Sequence, residues 1–261
     1  MTVVFGAIAP HGDPAFADGS PTRVAFEELG RRLERAEPDV TVVFTPHNVH
    51  VEGALAVVTA ATLAGTLDEL PVKLECAVDR ELAAGVLASL SAAGVPAVGV
   101  SYGSNDESLA VMPLDWGALV PLWFLGGRSE EPRPVVVVSP ARDLALVDHV
   151  RAGAAVADAC SGRRAAFVAS ADHGHAHDPD GPFGFDPAAA PYDDGVVEAV
   201  RANRLGEVVE LEPIVDAAKA DSLWQLAVLH GALRAGFRAD FLSYERPTYF
   251  GMLCAAFEPV A

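Results

Sequence analysis

Residues 2–12 read TVVFGAIAPHG, an apolar run that ends in Pro10 and His11, and residues 40–47 read VTVVFTPH, which ends in the same way at His47. The segment between them, PTRVAFEELGRRLERAEP (21–38), has apolar residues at helical spacing and a charged opposite face. A strand, a helix and a second strand in this order form a right-handed unit with parallel strands. We therefore predict an α/β fold in which both histidines lie at the carboxyl edge of one sheet, where such folds bind ligands.

The rest of the chain continues the alternation of helices and strands. Helical spacing recurs in residues 79–94 and 143–160, and residues 134–139 (PVVVVS) and 164–172 (RAAFVASAD) are predicted as buried strands. Residues 239–257 are predicted as a last strand that bends at a proline. No linker divides the chain, so we predict one domain over residues 1–261, with a central mixed or mostly parallel sheet flanked by helices.

Two further segments are irregular in composition. Residues 114–127 (LDWGALVPLWFLGG) are apolar on all sides, which predicts burial, and the part from Trp116 to Phe124 offers a subunit contact for a homo-oligomer. Residues 173–195 contain three histidines among many Gly, Pro and Asp residues, which predicts a long loop without regular structure. Loops of this length in compact domains are commonly functional.

Composition excludes several classes of partner. The formal net charge is -18, and the clustered basic residues that bind phosphate are missing, so neither nucleic acid nor an anionic membrane surface is an expected partner. High solubility is the simplest explanation of this acidity. No apolar stretch reaches the roughly 18 residues of a membrane helix, and the N-terminus reads as a strand and not as a signal peptide. We expect a cytoplasmic protein with buried, unpaired cysteines.

Four residues at the ends of apolar runs are candidates for one metal site: His11, His47, His175 and Glu245. A proline before His11 and before His47 restricts the backbone and helps to aim each imidazole. Two neutral imidazoles and one carboxylate with open coordination positions suit non-heme Fe(II). His50 competes with His47, which we prefer because it directly follows the strand. Taken alone, Glu245 is equally compatible with an exposed ion pair.

His173, His175 and His177 alternate along the chain. In an extended backbone, alternate side chains lie on one side, so the three imidazoles could chelate a metal directly. A histidine-rich surface loop is the alternative.

Taken together, these motifs resemble the class III extradiol ring-cleaving dioxygenases of the LigB superfamily over nearly the full length of the chain. The resemblance implies that His11, His47 and Glu245 are the metal ligands. The segment ASADHGH (169–175) is similar to the family segment that carries the acid/base histidine, which implies that His175 is the catalytic residue. The run PYDDGVVEAV that follows is also similar to the family.

The same resemblance implies an Fe(II) cofactor, with Zn or Mn as less favoured metals, and a catechol or 2-aminophenol substrate that reacts with O2. Asp13 and Asp172 are candidates for supporting groups beside the ligands and the acid/base. Many family members have a histidine where this chain has Trp116. His173 or His177 is a candidate replacement for that histidine, and Trp116 itself is a candidate for stacking on an aromatic ring.

Two other functions fit the same residues. A zinc hydrolase uses two histidines and a carboxylate to hold a metal with its bound water. A Memo-like protein of the same superfamily uses a related pocket for binding. Such proteins tend to have a thiol in the third position, so the carboxylate of Glu245 favours the dioxygenase.

Overall fold

A computed structural model describes residues 2–70 and 72–260, to which all structural statements refer. Within this part the strands are β1 (Val3–Ala9), β2 (Val40–Phe44), β3 (Leu55–Val58), β4 (Thr62–Leu67), β5 (Val72–Ala77), β6 (Ala97–Val100), β7 (Val111–Pro113), β8 (Val135–Ser139), β9 (Ala165–Ser170), β10 (Phe237–Glu245) and β11 (Met252–Pro259). The α-helices are α1 (Pro21–Ala36), α2 (Arg80–Ala92), α3 (Trp116–Leu122), α4 (Leu146–Ala159), α5 (Ala189–Arg201), α6 (Glu212–Ala218) and α7 (Leu223–Leu233).

Eight strands form the main sheet in the order β10-β11-β1-β9-β2-β8-β3-β6. Strands β1, β9, β2 and β8 are mutually parallel, whereas β11 and β3 run antiparallel to their neighbours β1 and β8. Every residue of these four parallel strands is buried, as expected for strands covered on both faces. The predicted α/β class with a mostly parallel central sheet is confirmed. The first two strands are parallel but not adjacent, because β9 lies between them.

The helices complete the core around this sheet. Helices α1, α2 and α7 pack against its strands, and α4 packs on α2 and α7. A smaller sheet, in the order β5-β4-β7, occupies part of the stretch that the sequence left unassigned. Among the described residues, no helix combines the length and apolar character needed to cross a membrane.

Two predictions about segments need correction, and a third is confirmed. The predicted last strand is a hairpin of β10 and β11, with Pro247 in the turn between them. The predicted loop 173–195 is shorter, because α5 already begins at Ala189. Residues 117–122 are buried, as predicted, whereas Trp116 at the start of this segment is exposed.

Candidate metal centre

The carboxyl ends of β1, β2, β8 and β9 meet at one edge of the main sheet because these strands are parallel. His11 follows β1, His47 follows β2, and Asp172 and His175 follow β9. Arg142 comes three residues after the end of β8. The sheet therefore delivers polar side chains from four different parts of the sequence to one place, as open α/β sheets do at their ligand sites.

His11, His47 and Asp221 form a group that could hold a metal ion. The Nε2 atoms of the two histidines lie 3.2 Å apart. The Oδ2 atom of Asp221 lies 3.5 Å from Nε2 of His11 and 3.9 Å from Nε2 of His47. Bonds of about 2.1 Å from N or O ligands to one ion place the ligand atoms roughly 3.0–3.6 Å apart, so the three atoms fit around one cation with little movement.

Hydrogen bonds determine which nitrogen of His11 faces this group. The Ser170 hydroxyl donates to the carbonyl oxygen of Gly117. The same hydroxyl lies 3.0 Å from Nδ1 of His11 and, since its only proton is already used, must accept from Nδ1. A neutral His11 therefore carries its proton on Nδ1 and directs the Nε2 lone pair toward Asp221, as a metal ligand requires.

The acidic side chains around His11 favour a cation at this position. Burial alone would lower the pKa of His11, but the nearby carboxylates of Asp172 and Asp221 outweigh it and raise this pKa to about 9. Burial, together with the adjacent His11, lowers the pKa of His47 to about 4. When no metal is bound, His11 therefore carries an additional proton, which the neighbouring carboxylates of Asp172 and Asp221 stabilise. The second oxygen of Asp221, Oδ1, is buried without a hydrogen-bond partner.

The backbone and ring of His47 are held by Thr45, Ser139 and Trp116. Its amide donates to Oγ1 of Thr45 over 3.3 Å, and the hydroxyl of Ser139 donates to its carbonyl over 2.8 Å. The ring of Trp116 lies 4.5 Å from the His47 ring, centroid to centroid. A Cβ at Gly117 would come within 2.6 Å of Cδ2 of His47, so only glycine allows α3 to approach this closely.

Glu245 does not join this group. Its Oε1 accepts a hydrogen bond of 2.8 Å from the backbone amide of Thr22, one of the free N–H groups in the first turn of α1. Strand β10 ends at the same edge as β1, but β11 separates the two strands, which places Glu245 about 10 Å to the side. In the described residues, Asp221 and not Glu245 supplies the carboxylate that lies beside the two histidines.

The three alternating histidines face different surroundings instead of one metal. Nδ1 of His173 lies 2.9 Å from the hydroxyl of Ser222, and its ring is fully buried. His175 lines the central pocket, whereas Nε2 of His177 lies 2.9 Å from Oδ2 of Asp193. The predicted direct chelation fails because the backbone is not a regular strand here. The amides of residues 175 and 176 both donate to the carbonyl of residue 218.

Asp193 anchors this histidine segment to the C-terminal hairpin. Its Oδ1 accepts a hydrogen bond of 2.7 Å from the amide of Gly174. Its Oδ2 accepts a bond of 2.6 Å from the hydroxyl of Tyr244 and lies 2.9 Å from Nε2 of His177. Because Arg246 donates to Nδ1 of His177, the Nε2 of that ring must donate to Asp193. The buried carboxylate therefore receives three hydrogen bonds, two from the histidine segment and one from the C-terminal hairpin.

We expect the substitution Asp193→Ala to lower the free energy of unfolding by about 3–5 kcal/mol, because it leaves buried donors without an acceptor. Urea unfolding at pH 7.5 measures the change. The adjacent exposed residue supplies the control: Asp194→Ala should stay within about 0.5 kcal/mol of the parent protein. Equal stability of the two variants would show that the three hydrogen bonds contribute nothing.

A pocket of about 1260 Å³ opens in front of the metal group. One wall is aromatic: the His175 ring stacks on Phe250 with the centroids 5.3 Å apart, and Phe183 and Tyr249 pack at 5.5 and 5.9 Å from it. Nδ1 of His175 is buried without a partner, which leaves Nε2 as the nitrogen open to the pocket. The pocket can therefore hold a flat apolar molecule between the metal group and a histidine.

The remaining candidates from the sequence differ in their access to the pocket. Trp116 is 50% exposed and lines the pocket beside His47, as does the exposed Asp13.

Asp172 is buried, accepts a hydrogen bond from the His11 amide, and lies 3.4 Å from Nε2 of that ring. Burial and the neighbouring Asp221 raise the pKa of Asp172 to about 6. His50 is exposed and is not among the residues that line the pocket.

Asp221 is the residue that the sequence did not reveal. It lies in AKADSLWQ, directly before α7, and follows no strand. An Asp-Ser pair before an apolar helix is typical of a helix cap, which is an ordinary structural role. In the structure the Asp221 carboxylate does not cap α7 but turns toward His11. The sequence around Asp221 therefore favours a helix cap and does not indicate a metal ligand.

Comparisons with known proteins support the fold and identify the family. A crystal structure of the uncharacterized protein JW3007 from Escherichia coli K12 is similar to the chain with a TM-score of 0.67 and 14% identity, covering 97% of this chain and 99% of that one, which supports the fold. Protein CA_C1420 of Clostridium acetobutylicum is 24% identical over 232 residues, or 86% of this chain and 49% of the relative. The chain therefore spans about half the length of that relative.

The family match extends over most of the chain. The family described as the catalytic LigB subunit of aromatic ring-opening dioxygenase matches residues 8–254. This range contains both histidines and the aspartate of the metal group, together with the aromatic wall of the pocket. The chain belongs to the family of catalytic LigB subunits of aromatic ring-opening dioxygenases.

Proposed function

We propose that this protein is a non-heme Fe(II) extradiol dioxygenase that opens the ring of a catechol or a 2-aminophenol with O2. The observation that carries the proposal is the group of His11, His47 and Asp221 at the base of an open pocket with an aromatic wall. Two imidazoles and one carboxylate are the ligand set that non-heme Fe(II) oxygenases use. Asp221 replaces Glu245 as the proposed third ligand.

Fe(II) would supply a redox-active centre with open coordination positions for the substrate and dioxygen. The protein residues then have separate tasks. The rings of Phe250, Tyr249 and Phe183 hold the substrate ring against the metal group and keep water away from it. Nε2 of His175 takes a proton from a substrate hydroxyl and returns it to the product, a role suited to an imidazole.

Metal binding should depend on pH because it displaces the proton held by His11. With a His11 pKa of about 9 in the metal-free protein, this residue is protonated at pH 7 and must lose its proton to become a ligand. We expect about one proton to be released per metal bound at pH 7, and affinity to rise about tenfold per pH unit until pH 9. Calorimetry in two buffers with different ionisation enthalpies measures the proton count. Affinity that is constant between pH 6.5 and 8.5 would contradict this assignment.

The proposed activity is tested by loading the purified protein anaerobically with Fe(II) and adding oxygen with a panel of catechols and 2-aminophenol. We expect oxygen consumption in equal amount to a yellow ring-opened product. Parallel samples loaded with Zn²⁺ and assayed with ester and amide substrates separate the hydrolase alternative. Hydrolysis with zinc, and no oxygen uptake with iron across the panel, would overturn the proposal.

A further inference from the structure

Among the described residues, the carboxylate of Asp221 lacks the hydrogen bonds that hold the two histidines of the metal group. Nδ1 of His11 is bonded to the hydroxyl of Ser170, and the amide and the carbonyl of His47 are both bonded to side chains. Oδ2 of Asp221 lies beside the two imidazoles, and its Oδ1 is buried without a hydrogen-bond partner. The direction of this carboxylate therefore depends on the backbone that carries it.

Ser222, the next residue along the chain, is fully buried and is bonded on two sides. Its hydroxyl lies 2.9 Å from Nδ1 of His173 and 2.9 Å from the hydroxyl of Tyr192. Both partners are fully buried as well, so solvent does not compete for these bonds. A side chain fixed in this way restricts the adjacent backbone from which the Asp221 carboxylate extends.

His173 belongs to the segment that also carries the proposed acid/base His175. Its amide donates to the carbonyl of Gly251 over 2.9 Å, which fixes the backbone of this segment against the C-terminal hairpin. The amide of His175 donates to the carbonyl of Ala218 over 2.9 Å, in the turn that leads to Asp221. The histidine segment and this turn are thus joined by a backbone bond and a side-chain bond, and the side-chain bond lies closer to Asp221 along the chain.

We propose that His173 is a positioning residue that directs the Asp221 carboxylate toward His11 and His47 through its bond to Ser222. The inference rests on the proposed metal group, but it does not depend on the identity of the metal or of the substrate. His173 does not line the pocket, and its Nε2 is buried without a hydrogen-bond partner. This role differs from the acid/base role for which the sequence made His173 a candidate. Residues that support a metal ligand typically contribute about 10- to 100-fold to metal affinity.

The experiment titrates the purified full chain with Co²⁺, whose visible absorption reports its coordination, and compares three variants of one residue. In His173→Asn an amide atom takes the place of Nδ1, because both are bonded to Cγ, whereas in His173→Gln the amide atoms lie one bond further out, as Nε2 does. His173→Leu removes both nitrogens. We expect the Leu and Gln variants to lower Co²⁺ affinity at least about tenfold and to change the absorption spectrum. The Asn variant should stay within about threefold of the parent protein.

Further variants separate positioning of the ligand from stability of the fold. Ser222→Ala should lose as much Co²⁺ affinity as His173→Leu, and the double variant should lose no more than either, because both changes remove the same bond. His149→Leu is the matched control. His149 is also fully buried, has one bonded nitrogen and one without a partner, and does not line the pocket. We expect this control to lower the free energy of unfolding and to leave Co²⁺ affinity and the spectrum unchanged.

Three results would overturn the inference: equal Co²⁺ affinity of His173→Leu and the parent protein, equal losses in His173→Asn and His173→Leu, or an equal loss in His149→Leu. Failure of the proposed function gives a different result. The Co²⁺ series would then behave as expected, but the Fe(II)-loaded parent protein would take up no oxygen with any catechol. Absence of Co²⁺ binding by the parent protein would overturn both.

Discussion

The substitution Asp221→Asn should lower Fe(II) affinity by on the order of 100-fold or more, whereas Glu245→Gln should leave it unchanged. Loss of a residue that only supports a ligand typically costs about 10- to 100-fold, so loss of a ligand oxygen should cost at least as much. Asp221 contributes Oδ2 to the group of ligand atoms, while Glu245 binds the first turn of α1. Equilibrium dialysis with iron analysis measures both variants.

The Glu245→Gln variant should differ from the parent protein in its free energy of unfolding. Replacing the carboxylate weakens its bond to the amide of Thr22 and its attraction to the positive end of α1, at a cost of about 0.5–1 kcal/mol in unfolding free energy. Iron affinity lost in Glu245→Gln but retained in Asp221→Asn would restore the ligand set that the sequence predicted.

The substitution His175→Gln should lower kcat by about 100- to 10,000-fold with little change in Fe(II) affinity. Glutamine retains a polar group in the pocket but cannot take a proton from the substrate and return it. The expected loss of kcat is the contribution that general acid–base catalysis typically makes to a rate. Steady-state oxygen uptake, with the iron content of each sample measured in parallel, separates the two effects.

His50→Gln is the control for this variant, because His50 is exposed and outside the pocket. It should keep the activity and metal affinity of the parent protein. If His175→Gln retained full activity, the proton would pass through another group, and the buried Asp172 beside His11 is the next candidate.

Much of this site could be predicted because it follows from strand order. Apolar runs that end in Pro-His identified His11 and His47, and parallel strands necessarily bring their carboxyl ends to one edge. The alternation of three histidines also drew attention to a segment at the pocket, although of the three only His175 lines it. For His11 and His47 the local pattern was sufficient because both follow strands in the parallel part of the sheet.

The third ligand could not be predicted in this way. Glu245 has the same local signature as the histidines, and its distance from the site depends on β11, which pairs between β10 and β1 only in the folded sheet. The position of the Asp221 carboxylate depends on the conformation of the turn before α7. Lys219 in that turn adopts a left-handed conformation with φ of 54°. Tertiary pairing and loop geometry, and not residue pattern, determine which carboxylate reaches the metal group.

The start of α3 contacts His47 directly and His11 through Ser170. Trp116 packs on the ring of His47, and the carbonyl of Gly117 receives the hydroxyl of Ser170 that in turn orients His11. The two imidazoles, which come from strands separated by β9, therefore share one support. Because Trp116 is half exposed and lines the pocket, the same short helix that faces a bound molecule also supports the side chains of the proposed metal group.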